Sequence, residues 1–331
     1  MVDLTSPPGP EDTLVELALK VLHVADPWEK ANVSDAAVKL WRSGEVRAIY
    51  REGVTHPVPD KPARSDKVRL LAPGAMPRRG KGGSLESRRS IVHSLCHIES
   101  WAVDLSWDII ARFAQPGASA GAGPEGYGMP REFFDDFVTV ADDECRHFRL
   151  LAARLEAMGS HYGAMPAHDG LWESAERTAG SLPARLAVEH CAHEARGLDV
   201  LPQTIARMRR GGDEDTAALL EGTVYPEEIT HCAAGVRWLK HLHARAGEAD
   251  GAWALEARKH ENVAGFFHAL MTGNFGSLKP PFNHAARAEA GFDPTWYLPL
   301  ARAQGSAAAA PEAGASVAGA PQGGEAQAAG V

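Results

Sequence analysis

Two glutamates, Glu144 and Glu228, are each followed three residues later by a histidine, His147 and His231, inside stretches of helical periodicity. On an α-helix, residues i and i+3 lie about 60° apart, so one turn presents a carboxylate and an imidazole to the same point. A lone glutamate precedes each pair: Glu99 stands 45 residues before Glu144, and Glu194 stands 34 residues before Glu228. Each gap accommodates a helix, a turn and a returning helix. The chain therefore reads as two helical hairpins, each donating half of a set of four carboxylates and two imidazoles. That set is the recipe of carboxylate-bridged di-iron and di-manganese bundles.

An internal repeat, rather than charge alone, selects Glu99 and Glu194. Cys96 through Leu105 lies over Cys191 through Val200, matching Cys with Cys, Glu99 with Glu194 and Asp104 with Asp199. The second helices match as well, Asp143-Glu144-Cys145-Arg146-His147 over Glu227-Glu228-Ile229-Thr230-His231. A single Glu-x-x-His is an ordinary solvated helix face. Two copies inside apolar segments, Phe133 to Leu155 and Val224 to Leu239, point their carboxylates inward, where an uncompensated charge is costly.

Composition bounds the rest. The chain has 331 residues, 44% of them hydrophobic, enough for one large or two modest domains. It lacks any run of eighteen apolar residues, and Met1-Val2-Asp3-Leu4-Thr5 has no signal-peptide character, so a cytoplasmic protein with no membrane partner is expected. The net charge of −9 argues against a general nucleic-acid binder, although Lys61 to Arg89 holds a local basic excess including Arg78, Arg79, Arg88 and Arg89. Cys96, Cys145, Cys191 and Cys232 each fall within one turn of a proposed ligand, without Cys-x-x-Cys spacing. They read as small buried residues beside the metal site.

The organisation predicted is all-α. An N-terminal helical extension and a basic extended segment occupy 1–84, with helices over 11–24 and 28–43 and a Pro/Gly/Arg-rich wrap over 52–84. A four-helix bundle follows over 85–246. Its first helix runs from Leu85 to Phe113 and its second is opened by Pro130 and reaches Met158. A short helix covers Leu171 to Thr178, the third long helix runs from Pro183 to Ala206 with a kink at Pro202, and the fourth reaches Ala244. Pro226, two residues before Glu228, marks a break or bulge at the ligand turn. A fifth C-terminal helix, Trp253 to Leu270, and a Pro-rich segment, Leu278 to Leu300, make up 247–303, and 304–331 reads as a disordered tail.

Four runs carry a resemblance: Ser90-Ile91-Val92-His93-Ser94-Leu95-Cys96-His97-Ile98-Glu99, the loop Tyr162 to Trp172, Glu194-Ala195-Arg196-Gly197-Leu198-Asp199, and Pro281-Phe282-Asn283 with Ala290-Gly291-Phe292. Over roughly residues 10–300 the chain resembles the bacterial family called domain of unknown function 455, in the ferritin-like superfamily. The resemblance implies a ferritin-like four-helix bundle in which Glu99, Glu144, His147, Glu194, Glu228 and His231 are the metal ligands, Glu144 and Glu228 bridging, Glu99 and Glu194 each capping one metal. Asp143 and Glu227, directly before the bridging glutamates, are the expected acceptors of the imidazole N–H groups. Asp104 and Asp199 lie about 140° around the helix from the lone glutamates and are expected to pair with basic groups such as Arg196.

His97, His190 and His193 share helix faces with the site. They are expected in the surrounding shell, with His190 standing as an alternative to Glu194 in completing the ligand set. His168 and Asp169 are read as a lid closing over the site or, for Asp169, as a cap or turn residue. Three functions follow. The first is a di-metal oxidase or oxygenase, of hydroxylase type, using O2, an unknown electron donor and an unknown small-molecule or RNA substrate. For RNA the basic stretch 61–89 would be the docking surface. The second is iron handling or peroxide scavenging without an organic substrate, and the third a non-catalytic helical scaffold. Hard carboxylates with two imidazoles suit two Fe, with Mn or mixed Mn/Fe as alternatives. A homodimer stays open.

Overall fold

The structure, a computed structural model, describes residues 4–77, 80–117 and 126–302. The tail 304–331, Arg78, Arg79 and residues 118–125 of the glycine-rich loop lie outside the described residues. Their regular elements are all helices, with isolated backbone bridges (Leu70 with Ala167, Leu278 with Ala301) in place of sheets. None of the helices is long and apolar enough to cross a membrane.

Helix α1 (Leu14–Leu22) starts at a capping box in which Thr13 and Glu16 each satisfy the other's backbone N–H. Asp26 caps α2 (Pro27–Ser43), whose first-turn proline leaves no donor orphaned, and Gly44 ends it in the left-handed conformation. The extended segment then crosses the body, pairing Ala63 N–H with Leu22 O, Ser65 N–H with Ala25 O and Leu71 N–H with Ala167 O. Helix α3 (Leu85–Phe113) packs along α4 (Arg131–Ala157), with α1 against α3 and α2 against α4. After α5 (Gly170–Arg177) the chain enters the third long helix: α6 (Leu182–Arg185), a π-helical segment (Leu186–His193) and α7 (Glu194–Arg210). Next come α8 (Glu214–Leu219), a second π segment (Leu220–Val224) and α9 (Tyr225–Arg245), which packs on the first π segment, on α7 and on α4.

Two expectations change here. The continuous fifth helix is instead α10 (Ala252–Ala257) and α11 (Val263–Asn274). Residues 258–262 are polar and charged, and Asn262 restarts the helix by accepting from Gly265 N–H (3.0 Å). The Pro-rich segment carries α12 (His284–Glu289) and α13 (Pro294–Tyr297). The third long helix also continues past Pro202 and ends at Arg210 rather than Ala206. Proline removes the N–H that would reach the Leu198 carbonyl, and Asn283 Nδ2 supplies the missing donor at 3.1 Å. Two residues of the C-terminal segment thereby clamp α7: Asn283, whose N–H also donates to Asp199, and Arg287, which donates to both Asp199 carboxylate oxygens.

Candidate metal centre

Helices α3, α4, α7 and α9 bring the glutamates and histidines together in the interior. Two sets of donor atoms form, each with its members within 4.8 Å of one another: Glu99, Glu144, His147 and Glu228 in one, and Glu144, Glu194, Glu228 and His231 in the other. Glu144 and Glu228 belong to both. Each hairpin supplies its own lone glutamate and its own histidine. No His190 nitrogen enters either set. Glu99, Glu144, His147, Glu228 and His231 are buried, and Glu194 is half-buried.

The imidazoles are held crosswise. His147 Nε2 lies 2.7 Å from Glu227 Oε2 of the other hairpin, and His231 Nε2 lies 3.3 Å from Asp143 Oδ2. A carboxylate can only accept, so each Nε2 carries the proton and each Nδ1 is turned to the shared glutamates. His147 Nδ1 sits 3.4 Å from Glu144 and 3.7 Å from Glu228, and His231 Nδ1 sits 3.0 Å and 3.7 Å from the same two. Among the described residues neither Nδ1 has an aligned hydrogen-bond partner, nor does Glu144 Oε2. Buried donors and acceptors left this way are expensive unless something else satisfies them. A cation among them would, and oxygen plus imidazole donors are what a hard divalent metal takes. Arg146 joins the two outer carboxylates, reaching Asp143 at 2.5 Å and Glu227 at 2.8 Å.

Electrostatics agree with a site built for a cation. Burial, then the negative neighbours Glu144 and Glu228, push Glu99 well above the ordinary carboxylate range, and burial with the same neighbours does so for Glu194. Burial acts on Glu144 in the same sense, but the adjacent imidazoles of His147 and His231 outweigh it and hold that carboxyl low. Both imidazoles are raised despite burial, by Glu144 for His147 and by Asp143 and Glu144 for His231. The cluster thus balances its own charge with protons, which a metal would displace.

The neighbouring residues take different parts. His97 receives the Trp101 Nε1 hydrogen bond at 3.2 Å and lies 2.8 Å from Tyr162 OH. His193 lies 3.2 Å from Ser174 Oγ, and Arg196 donates to Lys279 O at 3.0 Å. Asp104 pairs with Lys30 and Arg64, and Asp199 with Arg287. All four cysteines are reduced and buried. The His168–Asp169 loop is tied down by Lys61 and by the Leu71–Ala167 backbone bond.

His190 is buried against Phe137, its Nε2 lacking a partner, and burial, with Arg185 adding to it, lowers its pKa to about 3. A histidine neutral when folded and protonated when unfolded below about 6.5 contributes stability present in full above that value and lost as the pH falls toward about 3. Between pH 7 and 5 this costs about 2 kcal/mol. In urea titrations of metal-free protein, His190→Leu should shrink the difference in unfolding free energy between pH 7 and pH 5 by that amount. An unchanged difference would show that His190 is solvated.

Beside the donor cluster lies a cavity of about 130 Å³, reached by Glu99, Glu144, Glu194 and Glu228 and walled by α3 and the third long helix. Of the tryptophans only Trp101 lines it; Trp172 stacks on Trp101, Trp107 donates to Ser34, and Trp238 donates to Asp136. Glu189 also lines it. In a regular α-helix Glu189 and Glu194 would point about 140° apart. The wider turn of the π segment, with its i→i+5 bonding, narrows that angle, and both carboxylates line one cavity.

Comparison with known proteins places the chain. An uncharacterized protein of Haemophilus influenzae (strain Rd) is 31% identical over 281 residues, covering 84% of this chain and 89% of that protein. No solved structure matches. The family described as protein of unknown function, DUF455, matches residues 23–298, and with most of its length so accounted for the chain belongs to that family.

Proposed function

We propose that this is a ferritin-like di-metal protein, most simply di-iron, and an O2-activating oxidase or oxygenase of hydroxylase type. Its bundle would comprise 85–246, with 1–84 and 247–303 as the flanking units. The observation that carries this reading is the pair of overlapping donor sets sharing Glu144 and Glu228, each with one imidazole whose Nδ1 faces the glutamates without a partner. Glu99 and His147 would hold one metal, Glu194 and His231 the other, and Glu144 with Glu228 both. Two ferrous ions there would supply the reduction of O2 and the oxidation of a C–H or N–H bond, with Mn or a mixed Mn/Fe pair as the alternative. Glu227 and Asp143 keep the Nε2 protons in place, so the imidazoles present lone pairs. Glu99 and Glu194 give up their protons on loading.

A cavity opening on the donor carboxylates supports an organic substrate over iron handling or a scaffold, both of which would be served by a filled interior. A small molecule fits better than RNA. Lys61, Arg64, Lys67, Arg88 and Arg89 of the basic stretch are paired within the chain, with Asp169, Asp104, Asp26, Asp213 and the Met158 carbonyl. The test is elemental analysis after anaerobic loading with Fe(II) or Mn(II), then absorbance on admitting O2. Two metals per chain and new near-ultraviolet absorbance from the iron form are expected; protein that retains no stoichiometric metal defeats the reading.

A further inference from the structure

The internal repeat brings equivalent positions of α3 and the third long helix, Ile98 and His193, Leu105 and Val200, Ser94 and Glu189, into the lining of one cavity. That lining combines apolar side chains such as Ile98 and Leu105 with charged ones. Glu189 is the unexplained member. Its side chain is fully buried, and neither carboxylate oxygen has a hydrogen-bond partner among the described residues. The nearest cationic candidate, His193 Nε2, is 3.7 Å away, beyond hydrogen-bond length, and lies closer to Ser174. Arg196 reaches toward Lys279 O and Asp199, at 3.0 and 3.8 Å. Glu189 belongs to neither donor set of the metal cluster. A buried carboxylate with no partner is costly unless a ligand completes it, and the complement of a carboxylate in an apolar cavity is a cation with N–H donors.

We propose that the cavity binds an organic amine, its ammonium on Glu189 and its hydrocarbon along Ile98 and Leu105, beside the donor cluster. This names the substrate class for the site and rests on reading the cavity as the substrate site. The amphiphilic walls set both halves of the preference. An alcohol of the same length would gain the apolar contacts and leave Glu189 with at most one donor.

The probes are n-hexylamine and 1-hexanol, titrated calorimetrically into full-length protein loaded with Mn(II). Hexylamine should bind about tenfold tighter than hexanol or better. Glu189→Gln, of the same shape, should weaken hexylamine about tenfold or more while leaving hexanol affinity and manganese content unchanged. Equal binding of amine and alcohol, no amine binding, or unchanged amine affinity in Glu189→Gln overturns the assignment. Loss of manganese in Glu189→Gln makes Glu189 a metal ligand and overturns it too. Should that variant not fold, the amine-against-alcohol comparison on the parent still decides. Parent protein that holds neither manganese nor Fe(II) would defeat the di-metal reading alone, and the same titrations on metal-free protein would then decide the amine.

Discussion

Replacing both shared carboxylates, Glu144→Ala with Glu228→Ala, should take the chain from two bound Mn(II) or Fe(II) to essentially none. Both donor sets contain these two residues, so each loses half of its members at once. The thermal consequence is as large. A ligand at about a thousand times its dissociation constant stabilises the folded state by about 4 kcal/mol for each site. The parent should therefore melt much higher with metal than without, while the double variant shows no such increment. A variant that binds two metals like the parent would show that the ligands lie elsewhere. Removing only Glu99 or only Glu194 should be milder, since each belongs to one set.

Gly235→Ala should be the most damaging single methyl in the protein. A Cβ there would stand 2.0 Å from the His190 carbonyl oxygen and 2.5 Å from its carbon, and backbone in a packed π segment cannot give way cheaply. Glycine at this position lets α9 approach the third long helix closely enough for Glu228 and His231 to meet Glu194. The expected loss is about 3 kcal/mol or more in denaturant unfolding, with metal binding impaired as the two helices separate. Gly273→Ala in α11 is the control. Nothing lies within 4 Å of a Cβ there, so alanine should be neutral or stabilise by up to about 1 kcal/mol through helix propensity. Gly235→Ala as stable as the parent would mean that the contact between α9 and His190 is looser than described.

The family match places both residues in the shared region, 23–298, yet neither the π geometry nor the close approach at Gly235 has a signature a single sequence displays. Local sequence suffices where an element answers to its own residues. Helices Leu85–Phe113 and Arg131–Ala157 follow from their apolar periodicity, from Ser84 as a cap and from Pro130 just before the first turn. The C-terminal helix was misread as continuous because the alanine-rich residues before 258 and the aromatic ones after 263 share helical character. The break comes from a short polar stretch whose asparagine prefers to cap. Pro202 sits inside its helix without ending it. A partner from Asn283, 81 positions along the chain, satisfies the carbonyl it frees.

The Glu-x-x-His spacing, the lone glutamates and the repeat were determined by the sequence alone, because i to i+3 proximity is a property of any α-helix. Tertiary structure decided how those residues are used. The carboxylate next to Glu228 serves His147 and the one next to Glu144 serves His231, a crossing that exists only once α4 and α9 are packed. It also decided that Glu189 faces the cavity with Glu194, since a π segment's looser bonding is favoured only where packing against α9 and its glycine compensates for it. Local spacing set the donors. Long-range packing set their partners, because contacts between helices far apart in the chain leave no periodic trace in either helix.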